Sequence, residues 1–271
     1  MAILLLFVGP AKSLTSSLDF AARGNKQIIL PSLKETHFLC SDVRSLQYYS
    51  RLINNMENRL KIGSDFFTEF FSDVQGENIY CEFCPSYILS KRAMITCREH
   101  IKRIIPIVTY RNPTKRTESH IKMDLRLGLL KGETHNPSKL SKVQIRQYYT
   151  LSNYKKLYSK WLSYTDSTIL YDPLSGNVKF KSSASPPRFV LDLLANLSER
   201  IKSLNVNESV NIPTFMSALY TRYITGGYSS HPRISKPLKW TFNRFFQSKT
   251  VDPLLLEPVR SFSTWDELTY L

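Results

Sequence analysis

Glycine is scarce in this sequence, nine residues in 271, which excludes collagen-like and glycine-rich low-complexity chains. No internal repeat is present, so a solenoid or propeller is excluded as well. Long apolar runs are missing too. The one window that suggests a membrane, "AILLLFVG" at residues 2 to 9, is far short of the roughly 20 apolar residues a spanning helix needs. It is not a secretory signal either, because no positive charge precedes it and no small-residue cleavage pattern follows. Cysteine is limited to four residues with no evenly spread framework, which argues against a secreted disulfide scaffold and for a reducing compartment. Three sequence patterns for catalysis or phosphate binding are also absent: the G-x-S-x-G elbow, the G-x-x-x-x-G-K-[ST] loop and G-x-G-x-x-G. Acidic residues are outnumbered, 22 against 37 Lys and Arg.

What is present is a foldable chain, 42% hydrophobic, with a net charge of +15. A charge of that size points to polyanionic partners. It is also regional: residues 101–160 hold 14 Lys or Arg against three acids, a balance of +11, whereas residues 51–100 hold six against seven, a balance of −1.

The stretch after the first apolar window, "PAKSLTSSLDFAARGNKQ", is rich in Ser, Thr, Ala, Lys and Arg with Asp19 as its single acid. That composition fits a mitochondrial import sequence, with a short buried N-terminal strand followed by a loop as the alternative. Apolar periodicity then predicts helices. Leu46, Tyr49, Ile53, Met56 and Leu60 share one face behind a Ser41 cap, and "SDFFTEFFSDV" gives a second helix. Residues 138–164 are helical in pattern, while the preceding stretch, from Tyr110 to Lys139, reads as an irregular solvent-facing segment. "STILYDPLSGNVKFK" reads as a hairpin. Ser185 with Pro186 and Pro187 opens a helix whose stripe is Val190, Leu194, Leu197, Ile201 and Leu204. Further helices are expected at 212–224 and 237–247. The expected fold class is mainly α with small β elements (α+β), and no alternating βαβ series is read. The expected divisions are 1–35 (import sequence or strand), 36–165 (helical region with the basic segment) and 166–271 (hairpin plus helices).

Residues 79–105, "IYCEFCPSYILSKRAMITCREHIKRII", carry Cys81, Cys84, Cys97 and His100 in the spacing Cys-x2-Cys, twelve residues, Cys-x2-His. Four N and S ligands with two-residue gaps suit one tetrahedral, structural Zn²⁺ per chain. With the intervening "YILSKRAMIT" read as a hairpin and a helix after Cys97, this stretch resembles a treble-clef zinc finger over 27 residues. Buried ordinary cysteines are the alternative. Cys40 has no partner at metal spacing and is expected in the core.

The zinc module would run into the basic segment and aim Lys102, Arg103, Arg111, Lys115 and Arg116 at phosphates. In the following helix Lys155, Lys156 and Lys160 flank Tyr154, Tyr158 and Trp161. Cations beside aromatic rings suit single-stranded RNA or DNA, although a stripe of rings at helical spacing also suits a core; "WTFNRFFQSK" at 240–249 has the same two readings. His120, Asp124, Glu133 and His135 are a weaker nuclease-metal candidate, and as an enzyme the chain carries no strong signature. In length, basicity and Tyr/Phe/Leu/Lys/Asn/Ser richness the chain resembles fungal mitochondrial gene-expression factors of the cytochrome b termination protein type. That resemblance implies an RNA-binding accessory factor in the mitochondrial matrix that acts in transcript end processing with a partner nuclease or other RNA-processing proteins. A metal-dependent nuclease and a structural component of the mitochondrial ribosome are the alternatives.

Overall fold

The structure is a computed structural model that describes residues 3–31, 35–40, 42, 79–126, 142–181 and 185–203. The helices expected around 46–60, 64–74, 212–224 and 237–247 lie outside these residues, as does the 240–249 aromatic cluster. The described chain divides into two compact units. In the first are a β-sheet and most of the helices; the second contains the helices of residues 113–126 and 142–152.

The first unit is built on β1 (Ile3–Phe7), β2 (Ile28–Ile29), β3 (Ile79–Phe83), β4 (Ile104–Thr109), β5 (Ile169–Tyr171) and β6 (Val178–Phe180), in the order β2-β3-β1-β4-β5-β6. All neighbouring pairs are parallel except β5 and β6, which are antiparallel. The helices of this unit are α1 (Thr15–Ala22), α2 (Lys91–Glu99), α5 (Tyr154–Leu162) and α6 (Arg188–Ser203); those of the second unit are α3 (Pro113–Arg126) and α4 (Lys142–Ser152).

The expected mainly helical fold is therefore corrected: the described chain is α/β around a mostly parallel sheet. The reason can be read in β1. "ILLLF" is apolar at every position because the strand is central and buried on both faces, as parallel strands with covered faces are. Leu5 and Phe7 join Cys81, Phe83, Ile105 and Ile107 on one face, packed with Leu18, Ala21 and Ala22 of α1 and Val190, Leu193, Leu194, Leu197 and Ile201 of α6. Leu4 and Leu6 project from the opposite face and are also fully buried.

The stretch expected to form a treble clef is a strand–helix–strand crossover instead. "IYCEF" is β3, Pro85–Leu89 is a single 3-10 turn, and Ser90 caps α2 by accepting the Ala93 N–H. The chain then enters β4 on the far side of β1. The apolar residues of "YILSKRAMIT" thus serve a turn and a helix rather than a hairpin. Two further boundaries differ. Residues 113–126, read as irregular, form α3, with Pro113 pre-set for a first helical turn. The helix expected over 138–164 is interrupted at Asn153, whose side chain accepts the Lys156 N–H and starts α5 afresh. The hairpin at 169–180 forms, but its first strand is also an integral member of the large sheet, pairing with β4.

Leu194 sits in the core that α6 makes with the sheet, so Leu194→Ala should destabilise the first unit by about 2–5 kcal/mol. Asn196→Ala, on the exposed face of the same helix, should stay within about 0.5 kcal/mol. Urea denaturation of both variants measures the contrast.

Candidate anion-binding site

Strand β1 lies between β3 and β4. The chain leaves β1 toward β2 on one side of the sheet and leaves β4 toward β5 on the other. The direction of winding therefore reverses between β1 and β4, and in open α/β sheets ligands settle outside the carboxyl ends of the strands at such a switch point. The segment standing there is Val8–Leu14, the connection from β1 to α1.

This connection is tightly specified. Val8 N–H still pairs with Ile107 O at 2.9 Å, so the chain leaves the sheet only at Gly9. A Cβ at Gly9 would lie 1.5 Å from Thr109 Oγ1 and 2.2 Å from Ser13 Oγ, so glycine is the one residue that fits. Ser13 bonds Pro10 O through both its N–H (3.0 Å) and its Oγ (2.7 Å), and its Oγ lies 2.7 Å from Thr109 Oγ1. Arg111 Nη1 donates to Lys12 O at 3.1 Å. Lys12 and Leu14 have φ of 72° and 70°, left-handed conformations that side chains other than glycine rarely adopt, whereas Ser13 between them does not. Strained backbone of this kind, of order 1–3 kcal/mol per residue, persists where the surroundings impose it and clusters at ligand sites. Alternating handedness also turns successive N–H groups toward a common concavity.

The loop ends at the amino terminus of α1. Leu14 occupies the cap position with no side-chain capping bond, and the first turn contains no acid. The positive end of the helix dipole thus faces the loop unneutralised by a local carboxylate, and this arrangement favours an anion.

A second set of titratable groups stands at the carboxyl end of β3. Cys84 N–H donates to Phe7 O at 3.1 Å, which ties this end to the start of the loop. Glu82, beside Leu6 in register, is fully buried. Its Oε1 accepts from Tyr87 Oη (3.0 Å), Thr36 N–H (3.2 Å) and the Thr36 hydroxyl, while Oε2 has no hydrogen-bond partner among the described residues. Burial lifts the Glu82 carboxyl to about 7 against the opposing hydrogen bonds from Thr36 and Tyr87 and the nearby His37. His37 Nδ1 is 3.6 Å from the sulfurs of both Cys84 and Cys40, and its Nε2 is 3.8 Å from Glu35. Burial opposes a charge on His37, but Cys84, Glu35 and Glu82 outweigh it and raise the imidazole to about 9.

The residues expected to bind zinc are dispersed among these elements. Cys81 points into the core from β3, Cys84 follows that strand, Cys97 is buried in α2, and His100 is exposed after it. Among the described residues no group of three or more His, Cys, Asp or Glu is placed to hold a metal ion. Burial pushes the thiols of Cys81 and Cys97 up. They are thus poor sources of thiolate and behave as small core hydrophobes. The zinc reading is corrected accordingly. Cys40 is buried, where it was expected.

The expected RNA surface is not assembled either. Tyr154, Tyr158 and Trp161 are buried, with Trp161 Nε1 donating to Ile88 O at 3.1 Å and Tyr154 Oη accepting the Arg111 N–H at 3.2 Å. Their rings cannot stack on bases. Arg116 is buried in the second unit, its guanidinium bound to Ser152 Oγ (2.7 and 3.0 Å), Tyr148 O (3.1 Å) and His120 Nδ1 (3.1 Å). Because Arg only donates, His120 Nδ1 accepts, and the imidazole proton sits on Nε2 facing Asp124, 3.8 Å away. Asp124 in turn accepts from Tyr148 at 2.7 Å. His120 and Asp124 are thus parts of a buried hydrogen-bonded network, and no metal-holding group is formed among the described residues; Glu133 and His135 lie outside the described residues. Lys102, Arg103, Lys155, Lys156 and Lys160 are exposed, and Lys115 is exposed with Glu118 3.9 Å away. Arg111 alone of the eight basic residues singled out above lies at the switch-point loop.

No protein-family model matches the sequence, and no curated protein does. Among solved structures the chain is similar to a sulfotransferase from Alicyclobacillus acidocaldarius: 18% identity, TM-score 0.47, covering 98% of this chain and 99% of that one. It is also similar to the sulfotransferase domain of the Synechococcus PCC 7002 olefin synthase: 12% identity, TM-score 0.40, covering 98% and 89%. The buried rings, the buried Arg116 and the dispersed cysteines remove the features on which the resemblance to the cytochrome b termination protein type and its nuclease and ribosomal alternatives rested, and that reading is corrected.

The signal missed in the sequence was local. An apolar run, then Gly-Pro, then Lys-Ser ahead of a helical Thr-Ser-Ser-Leu, spells a strand, a tight loop and a helix start. The loop departs from G-x-x-x-x-G-K-[ST] in that two residues rather than five separate Gly9 from Lys12, and Ala11 rather than glycine precedes the lysine.

The raised values of Glu82 and His37 have the same sign for stability. Each favours the protonated group in the folded chain. The Glu82 contribution is present below about 4.5 and lost as pH rises through about 7, and that of His37 is present below about 6.5 and lost as pH rises through about 9. Wild type should therefore lose stability relative to Glu82→Gln between pH 5 and pH 8 in urea titrations. A difference that does not vary with pH would contradict the assignment.

Proposed function

We propose that the chain is a group-transfer enzyme that binds a phosphate-bearing donor on the Val8–Leu14 loop and moves a sulfuryl group from it to an acceptor hydroxyl. The observation that carries this reading is the loop itself, which stands at the switch point, holds left-handed Lys12 and Leu14, and opens onto a helix terminus with no acid in its first turn. Lys12 supplies the loop's own positive charge. Sulfuryl transfer is preferred to nucleoside triphosphate hydrolysis because a P-loop NTPase holds Mg²⁺ with the loop Ser or Thr. Here the Ser13 hydroxyl is taken up between Pro10 O and Thr109.

In the transfer the acceptor hydroxyl gives its proton to the Glu82 carboxylate as its oxygen forms a bond to sulfur. The bridging bond from sulfur to the donor phosphate oxygen breaks, and the electron pair stays on that oxygen. Negative charge grows on the departing phosphate, where Lys12 and the α1 terminus stabilise it without reorganising. Glu82 suits the proton-accepting role because its carboxyl is poised near 7 and its Oε2 has no partner among the described residues.

The first test is binding of pyrophosphate by calorimetry to the full chain. Wild type should bind, and Gly9→Ala, whose new Cβ collides with Thr109 and Ser13, should not. The second is transfer of radiolabelled sulfate from a mixed phosphate–sulfate anhydride to hydroxyl acceptors. Glu82→Gln should lower that rate by about 10²–10⁴-fold and leave pyrophosphate affinity unchanged. A wild-type chain that ignores pyrophosphate, or a Glu82→Gln variant with full transfer activity, would defeat the corresponding part of the proposal.

A further inference from the structure

Thr109, the last residue of β4, is fully buried and contributes its hydroxyl to the loop across the strand boundary. The direction of that hydrogen bond follows from counting protons. Ser13 has one hydroxyl hydrogen, and it is given to Pro10 O at 2.7 Å. The 2.7 Å contact between Ser13 Oγ and Thr109 Oγ1 must then be made with the Thr109 hydrogen, Thr109 donating and Ser13 accepting. The result is a directed relay from the Thr109 hydroxyl through the Ser13 hydroxyl to the Pro10 carbonyl.

We infer that Thr109 is a positioning residue for the anion site: its hydroxyl, acting through Ser13, holds the loop in the conformation that presents Lys12 and Leu14 to the ligand. This inference rests on the reading of the Val8–Leu14 loop as an anion site and names what fixes its shape. Three observations support it. Ser13 is the residue between the two left-handed positions, so fixing Ser13 fixes both of its neighbours. The hydroxyl sits where a Gly9 Cβ would be, which makes the absence of a side chain at 9 and the presence of Thr at 109 two halves of one contact. Thr109 is also on β4, the far side of the switch point from the α1 helix that the loop feeds, so the relay ties the loop to both strands bounding the crevice. With the relay broken, the left-handed residues are free to relax, and the strain they carry favours that relaxation.

The test compares Thr109→Val, which keeps the shape and removes the hydroxyl, with Thr109→Ser, which keeps the hydroxyl. Calorimetric titration with pyrophosphate is the readout, and melting temperature is measured alongside it. Thr109→Val should weaken pyrophosphate binding about tenfold with a melting transition close to wild type, and Thr109→Ser should stay within about twofold of wild type. Ser13→Ala removes the other end of the same relay. It should give a comparable loss, and combining it with Thr109→Val should add little further, as for two residues acting through one interaction. If Thr109→Val is too unstable to titrate, the Ser13→Ala and Thr109→Ser pair decides the matter. Equal affinity in folded Thr109→Val, or failure of Thr109→Ser to restore it, would overturn the inference. A wild-type chain with no pyrophosphate affinity would instead remove the anion site itself.

Discussion

Strand β1 is hydrogen-bonded along both of its edges, to β3 from Ile3 to Phe7 and to β4 from Leu4 to Phe7. Its five residues can satisfy every backbone group only as the middle of a sheet, and their side chains can avoid water only if both faces are covered. Helices α1 and α6 cover one face, and the chain must cross from β3 to β4 through α2 to reach the other edge. That crossing creates the switch point. The site therefore follows from where β1 lies: the loop leaving it has neighbouring strands on both sides, and Thr109 and Arg111 reach it from β4 and the residues just after it.

The electrostatics divide in the same way. At the loop, positive potential comes from a helix terminus and Lys12, with Arg111 committed to the Lys12 carbonyl. One strand away, at the end of β3, a carboxyl is kept away from water with only one of its oxygens satisfied among the described residues. A buried carboxyl left half-paired is unfavourable for folding, and such arrangements persist at functional sites where a proton has to move. In the proposed function the loop would hold the anion and the carboxyl, at the end of the adjacent parallel strand, would accept the proton, the two requirements of group transfer to a hydroxyl. In the second unit, by contrast, the buried Arg116 guanidinium is held by Ser152, Tyr148 O and His120, contacts that join the two helices.

How far the sequence could be read depended on the range of the interactions involved. The stripe on α6 and the hairpin at 169–180 were legible because each is written in residues a few positions apart. The parallel sheet was not, because its pairings join residues about 50 to 100 positions apart and leave no mark of alternation when both faces are buried. From sequence "AILLLFVG" reads as part of an import sequence or as a short N-terminal strand, whereas residues 3–7 form the centre of a sheet. The Cys-x2-Cys and Cys-x2-His spacings misled for a related reason. In a strand, Cys81 faces the core, and Cys84, the residue that follows the strand, turns to His37, so a two-residue gap that would converge on a metal from a tight turn diverges here. Tyr154, Tyr158 and Trp161 at helical spacing also suit a core, and their burial follows from the apolar face that α5 presents within the first unit. The basic charge was real but indiscriminate: of eight residues singled out, only Arg111 is at the candidate site.

The account stands or falls on whether an anion is held by the loop between β1 and α1. Amide chemical-shift mapping of the full chain during a pyrophosphate titration tests that directly. The account predicts saturable shifts concentrated on Gly9, Lys12, Ser13, Leu14, Thr15 and Ser16, with smaller changes at Thr109 and Arg111. Saturable shifts elsewhere, with the amides of residues 9 to 16 unmoved, would contradict it.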